Sequence, residues 1–306
     1  MKNIYLFGEC MIELINHSSN TMKQSFAGDV FNTAVYLKRL FSNLNVGIVT
    51  AVGQDHFSDD MVQYFESENL NTDFVFHSQD KIPGLYSIKV DEDGERSFTY
   101  WREKSAARSV MSFTDEMVIQ QLGKGDIFFF SGISLGVVQP QDREKFWHMV
   151  SQLKMSGVQI AFDLNYRPKL WSSKEEAQAQ FFLAFEVADI LLPGVDDFAA
   201  IFDLDSVEAI INFFERYHYQ ELVIKNGESN VYCLSSQGQE IVDVNPVSKV
   251  VDTTSAGDSF NGGYLGARMA GRTITQAVEL ANQVAGFVIQ HSGAIVDKQA
   301  FSAKFN

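Results

Sequence analysis

Val251-Asp252-Thr253-Thr254-Ser255-Ala256-Gly257-Asp258-Ser259-Phe260, near the C-terminal end of a 306-residue chain, is the run around which the other segments are arranged. Three small residues, Ser255, Ala256 and Gly257, stand directly before a carboxylate, Asp258, and the pattern from Ser259 to Ala270 reads as a helix. Such a turn can aim several backbone N–H groups at one point, and the helix N-terminus adds its positive dipole end there. That is a place to hold an anion. A bound anion disfavours an acidic side chain beside it, so Asp258 needs a purpose, and taking the proton of an attacking hydroxyl is one.

Before this run the chain alternates between apolar runs and helical patterns. Asn3 to Gly8, Met11 to Ile15 and Asn45 to Val52 read as strands; helical periodicity follows Asp29, which reads as an N-cap, and spans Phe57 to Glu68. The rhythm resumes with strands at 126–131, 158–163, 189–192 and 221–225, helices at 141–155, 174–187 and 206–217, a hairpin over 230–244 and a last helix over 275–290. This is the βαβ signature of a mostly parallel sheet. It breaks between Pro83 and Arg102, where Leu85–Val90 and Ser97–Trp101 flank Asp91-Glu92-Asp93-Gly94 as a hairpin. Such a hairpin reads as a lid, with about 13–26 and 84–102 forming a small second sheet. One α/β domain over 1–306 carrying that lid is the expected organisation.

The formal charge of −15 and a pI near 4.8 argue against a nucleic-acid partner, which needs a basic face, and leave room only for a local basic pocket. No stretch approaches the roughly 20 apolar residues of a membrane span, and Glu9 and Glu13 interrupt the N-terminal apolar run too early for a signal peptide. Cys10 and Cys233 have neither metal spacing nor a pairing pattern, so a reducing, cytoplasmic setting is expected, with Cys10 as a buried small hydrophobe.

Polar groups gather just past the ends of the predicted parallel strands, where ligands bind in open α/β sheets: Gly8-Glu9, Ser131-Gly132, Asp163 to Arg167 and Lys225 to Gly227. Singly, each is equally well a turn or a cap. Gly28 would let a ligand approach the backbone, and Asn32 would reach a hydroxyl. On the lid, Tyr86, Tyr100 and Arg102 form a pocket suited to a polyhydroxylated acid, the guanidinium forking a carboxylate; the opposing reading has the rings packing the small sheet and Arg102 solvated. Alternation turns Trp101 away from these neighbours. Arg167 is either a surface arginine or a second cation for an anionic acceptor. No Walker A pattern, dinucleotide fingerprint or histidine zinc spacing occurs.

These residues together resemble the ribokinase-like, or PfkB, carbohydrate kinases. Asp252 to Phe260 is similar to the family's D-T-x-G-A-G-D-x-F signature, and Gly28 to Asn32 to its first signature, with Ala27 in place of one glycine. Within the family, Pro83 to Tyr86, Tyr100 to Arg102 with Ser105 to Ala107, Ser131 to Ile133 and Asp163 to Trp171 look most like the 2-keto-3-deoxygluconate kinases. The resemblance implies a three-layer fold with a β lid, ATP and Mg²⁺ as cofactors, and transfer to the 6-hydroxyl of 2-dehydro-3-deoxy-D-gluconate. It makes Asp258 the base and the Ser255, Ala256, Gly257 and Asp258 amides the anion hole. Gly28, Asn32, Tyr86, Tyr100, Arg102 and Arg167 would hold the sugar acid; Asn165, Lys225, Gly227 and Asn282 would lie by the nucleotide.

Three departures stand out. Ser255 replaces a glycine of the family turn, Asn230 stands where the nucleotide loop has glycine, and the usual Asn-x-x-Glu appears as Gly194 to Asp197, which makes Asp197 the metal candidate. A monovalent cation such as K⁺ near Asp252 and Gly293, and a homo-oligomer built through the lid, are further expectations. The alternatives are a fructokinase-like or other neutral-sugar kinase, and a non-catalytic sugar sensor on the same fold.

Overall fold

The computed structural model describes residues 1–18, 21–90 and 96–305. Its strands are β1 (Asn3–Phe7), β2 (Met11–Ser18), β3 (Thr21–Ala27), β4 (Asn45–Val52), β5 (Asn71–His77), β6 (Leu85–Val90), β7 (Arg96–Trp101), β8 (Ile127–Ser131), β9 (Gln159–Asp163), β10 (Ile190–Leu191), β11 (Glu221–Ile224), β12 (Val231–Ser235) and β13 (Gly238–Val242). Nine of them make one sheet in the order β13-β12-β11-β10-β9-β8-β1-β4-β5. All its pairings are parallel except β11 with β12 and β12 with β13.

Strand alternation sorts the core onto the two faces of this sheet. Tyr5 and Phe7 of β1, with Phe128 and Phe130 of β8, join a cluster covered by the Arg143–Met155 and Lys174–Val187 helices. Ile4, Leu6, Ile127 and Phe129 point the other way, toward the Asp29–Leu40, Ala256–Met269 and Ile274–Val288 helices. Strands buried on both faces read as continuous apolar runs, which is why Asn45–Val52 was bounded correctly from sequence.

The remaining four strands form the second sheet, ordered β3-β2-β6-β7. Its centre is a parallel pairing of β2 with β6, flanked by the antiparallel pairs β2–β3 and β6–β7. The expected turn at Asp91 to Gly94 lies outside the described residues. Cross-strand register places Glu13, Ser25, Tyr86 and Tyr100 side by side on one face, while Trp101 pairs with Leu85 on the other.

Several elements differ from the sequence reading. The helix after the small-residue turn begins at Ala256 rather than Ser259, because the reversal is completed by one left-handed residue, Ser255, with φ 65°. Edge strand β5 and the short helices Val195–Phe202 and Lys298–Phe305 were not anticipated. Asp29 is not an N-cap: Gly28 holds that position and makes no side-chain cap, and Asp29 opens the helix with its carboxylate directed elsewhere.

Candidate active site

Close helix packing creates the site. The Asp29–Leu40 and Ala256–Met269 helices cross at Gly262, where a Cβ would stand 2.6 Å from the Thr33 carbonyl oxygen. That approach brings Asn32 against Asp258: Asn32 Nδ2 donates to Asp258 Oδ2 at 2.9 Å. Gly28 fits its place for a similar reason, since a Cβ there would lie 2.2 Å from the Glu9 carbonyl oxygen.

Around Asp258 the helix start is partly open. Ala256 N–H donates to Thr253 O and Ser259 N–H to Ser255 O, which leaves the Gly257 and Asp258 amides as first-turn donors facing the turn. Asp252 fixes the loop in front: its Oδ1 accepts from Thr254 N at 3.0 Å and its Oδ2 from Gly293 N at 2.7 Å.

Three further carboxylates converge here. Asp29 Oδ2 accepts from Ser131 Oγ at 2.5 Å and from Asn165 Nδ2 at 3.0 Å, while Asp29 Oδ1 is buried without a partner. Asp163 is bonded on both oxygens, by Lys225 Nζ at 3.0 Å and Asn261 Nδ2 at 2.7 Å, and Lys225 also donates to Asn261 Oδ1 at 3.2 Å. Asp197 Oδ1 accepts from Tyr166 N at 3.1 Å and Arg167 Nη1 at 3.3 Å.

Burial and mutual repulsion shift these acids upward. Loss of water, then the charge of Asp29, pushes Asp258 up to about 7 against the lowering effect of Asn32. Burial likewise raises Asp29, and burial followed by the charge of Asp163 pushes Asp197 up to about 6. A carboxylate poised near neutrality suits a proton acceptor.

The lid residues divide. The Tyr86 hydroxyl is buried and donates to Glu13, whose other oxygen accepts from Ser25 Oγ at 2.7 Å. Tyr100 remains 42% exposed with the Arg102 guanidinium 6.0 Å from its ring centroid. Arg102 is not solvated: its side chain is 10% exposed and paired with Glu9, which is fully buried. Arg167, by contrast, is 55% exposed, with Nη1 donating to Tyr166 O at 2.8 Å and to Asp197.

Lys225 Nζ lies 3.7 Å from where a Gly257 Cβ would stand, so its amine sits beside the Ser255-Ala256-Gly257 turn. Gly227 takes a left-handed φ of 58° in the loop after β11, and Asn282 Nδ2 contacts the Asp243 carbonyl at 3.4 Å. Asn165, itself left-handed, is drawn to Asp29. Sequence reasoning missed the parts played by Asp29, Glu9 and Asn261. For Asn261 a signal existed, because it lies three positions after Asp258 and so on the same helix face.

Residues 1–300 match the model of the pfkB family carbohydrate kinases. The chain is 38% identical to the 2-dehydro-3-deoxygluconokinase of Haemophilus influenzae over 309 residues, covering 99% of this chain and 98% of that protein. It is also 38% identical to the 2-dehydro-3-deoxygluconokinase of Escherichia coli (strain K12) over 310 residues, covering 99% of each. Among solved structures, fructokinase with bound ATP from Xylella fastidiosa superposes with a TM-score of 0.82 at 23% identity, covering 95% of this chain and 93% of that one. With the family model spanning nearly its whole length, the chain belongs to the pfkB carbohydrate kinases.

Proposed function

We propose that this chain is an ATP-dependent kinase that phosphorylates the 6-hydroxyl of 2-dehydro-3-deoxy-D-gluconate, giving the 6-phosphate and ADP. The observation that carries the chemistry is Asp258, held by Asn32 beside the open Gly257 and Asp258 amides and poised near neutral pH. Near full-length identity to 2-dehydro-3-deoxygluconokinases supports the acceptor.

In this reading the sugar oxygen attacks the γ-phosphorus, its bond to phosphorus forms as the bond to the ADP oxygen breaks, and its proton passes to Asp258. The helix-start amides stabilise charge on the transferred group, and Lys225 adds positive charge beside them. Asp29, with Ser131 and Asn165, orients acceptor hydroxyls together with Gly28 and Asn32. Tyr100 and Arg102 close over the acid, and Arg167 stands between acceptor and phosphates. Gly227 and Asn282 border the nucleotide.

A Mg²⁺ ion would be held at Asp197, a carboxylate that burial and then the neighbouring Asp163 push up to about 6 and whose hydrogen bonds among the described residues all fall on Oδ1. No group of three or more metal-binding side chains occurs among the described residues, so phosphate oxygens and water would supply most ligands, as is usual for this ion. When bound it would neutralise charge on the phosphates. A monovalent cation would share Asp252 with the Thr254 and Gly293 amides. The lid leaves β3 and β7 as open edges, with Met22 and Trp101 exposed, which supports a homo-oligomer formed through it. No helix among the described residues is long and apolar enough to cross a membrane.

Pairing of Arg102 with Glu9 is the one observation on the side of a neutral acceptor, because it neutralises the lid cation. A panel of sugars and sugar acids in a coupled ADP-release assay tests the reading. Highest kcat/KM is expected on 2-dehydro-3-deoxy-D-gluconate, and higher kcat/KM on fructose would replace the acid with a neutral ketose.

The pH dependence follows from Asp258. A base with a pKa of about 7 accepts protons only when ionised, so kcat should fall with a single-proton slope as pH drops below about 7. Asp29→Asn removes the neighbouring charge that raises Asp258 and should move this acid limb to lower pH. A limb unmoved in the variant would detach it from Asp258.

A further inference from the structure

Lys225 directly follows β11, and its amine meets residues from two other elements. Nζ donates to Asp163 Oδ1, at the end of β9, at 3.0 Å and to Asn261 Oδ1, on the Ala256–Met269 helix, at 3.2 Å. Asn261 Nδ2 donates to Asp163 Oδ2 at 2.7 Å, which closes a ring of three side chains. Both oxygens of Asp163 and both polar atoms of Asn261 are thus spent inside the ring, and both residues are buried.

The ammonium has capacity to spare. Of its three N–H groups two go to the ring, and the third has no acceptor among the described residues. Its side chain is 15% exposed, against 4% for Asp163. Nζ lies 3.7 Å from where a Gly257 Cβ would stand and, the helix backbone and adjoining residues apart, no other atom of the described residues comes within 4 Å of that point. The amine therefore faces open space over Gly257, beside the Gly257 and Asp258 amides that the helix start leaves without acceptors.

A buried Lys–Asp pair is weak evidence for stability, since apolar residues of similar volume often serve as well. Asparagine is also a poor helix former, and Asn261 stands inside a helix beside Gly262 and Gly263. Asp163 offsets the charge of Lys225 at a distance, so what the ring supplies acts at close range: an N–H held in one place. Asn261 lies three positions after Asp258 on the same helix face. One helix thus carries the carboxylate, the two amides and the side chain that fixes the amine.

We propose that Asn261 is a positioning residue for phosphoryl transfer: by bridging Asp163 and Lys225 it fixes the amine as a third donor to the transferred group, alongside the Gly257 and Asp258 amides. This rests on the kinase reading above and holds for an acidic or a neutral acceptor alike. The bonds made and broken are unchanged. The acceptor oxygen binds the γ-phosphorus, the ADP oxygen leaves, the acceptor proton goes to Asp258, and Lys225 keeps its protons.

The test is the single-turnover rate at saturating ATP and about pH 8.5, above the acid limb of Asp258, with KM for the acceptor measured alongside. Asn261→Ser and Lys225→Met are compared alone and together; serine keeps a hydroxyl but is too short to bridge. Lys225→Met should slow transfer about a hundredfold and Asn261→Ser about tenfold, each with KM for the acceptor within about twofold. In the Lys225→Met background, Asn261→Ser should cost no more than about twofold further, because the group it positions is gone. A merely structural asparagine would cost the same in both backgrounds, and that result overturns the proposal. So does a Lys225→Met protein that keeps its rate, whether or not the Asn261 variant folds. Asp163→Asn added to Lys225→Met removes both buried charges and supplies a second background should the single variant be unstable. If the unaltered protein phosphorylates none of the sugars and sugar acids in the panel, the kinase reading falls and takes this inference with it; transfer with additive losses sinks the inference alone.

Discussion

Asp258→Asn is expected to lower kcat by about a thousandfold while the acceptor still binds with a Kd within a few-fold of the original. Removal of a positioned general base commonly costs 10²–10⁴-fold in rate, and the substitution is nearly isosteric. Asn32 Nδ2 can still donate, now to the amide oxygen, so the helix crossing at Gly262 has no reason to move. The fold should gain stability. In the folded protein the Asp258 pKa lies above the ordinary value, so its contribution to stability is present in full below about pH 4 and is lost as pH rises through about 7. At pH 8 the charged residue therefore opposes folding, and a neutral replacement should melt at a higher temperature. Turnover by single-turnover assay, acceptor binding by calorimetry and a thermal melt together check this. Retention of most activity would remove Asp258 from the role of base.

Arg102→Ala should destabilise the protein by about 3–5 kcal/mol, the usual consequence of leaving one partner of a buried ion pair without the other. Glu9 is fully buried, its Oε1 already lacks a partner, and with Arg102 gone its charge would lose its one ion-pair partner among the described residues. Most of that loss should return in the double variant Glu9→Gln with Arg102→Ala, because the stranded charge is then absent. Denaturant unfolding of the four proteins of this cycle measures the coupling. Additive losses would show that the two residues do not act as a pair. The same experiment bears on acceptor binding, since a weakened affinity in Arg102→Ala alone mixes lost recognition with a disturbed lid base.

Much of this architecture was legible because it is written in local patterns. Parallel strands buried on both faces are uninterrupted apolar runs, and the helix read over 174–187 is Lys174–Val187 in the structure, where Ser173 caps it. Edge strand β5 was not: Asn71 and Asp73 break its alternation, since an edge needs polar groups where a central strand does not. The site was legible as a set of strand ends, not as a network. Asp29 stands where an N-cap is expected, and only the fold brings Ser131 and Asn165 to its carboxylate. Arg102 looked like a free lid cation because its partner, Glu9, lies 93 residues earlier. Ser255 is the reverse case: its left-handed φ supplies what the family's glycine supplies, so the departure in sequence leaves the turn in place.

The small sheet joins the large one through very short connectors. Strand β1 passes into β2 over Gly8, Glu9 and Cys10, and β3 returns through Gly28 alone to the helix bearing Asp29 and Asn32. At these two connections the chain has almost no slack between the small sheet and the elements that follow it. Leverage applied to β3 reaches the Asn32–Asp258 hydrogen bond across a single glycine too tightly placed to absorb it. If Asp258 is the base proposed above, the small sheet is joined by backbone, across one glycine, to the helix whose Asn32 holds it, so a ligand that moves that sheet would also turn the carboxylate.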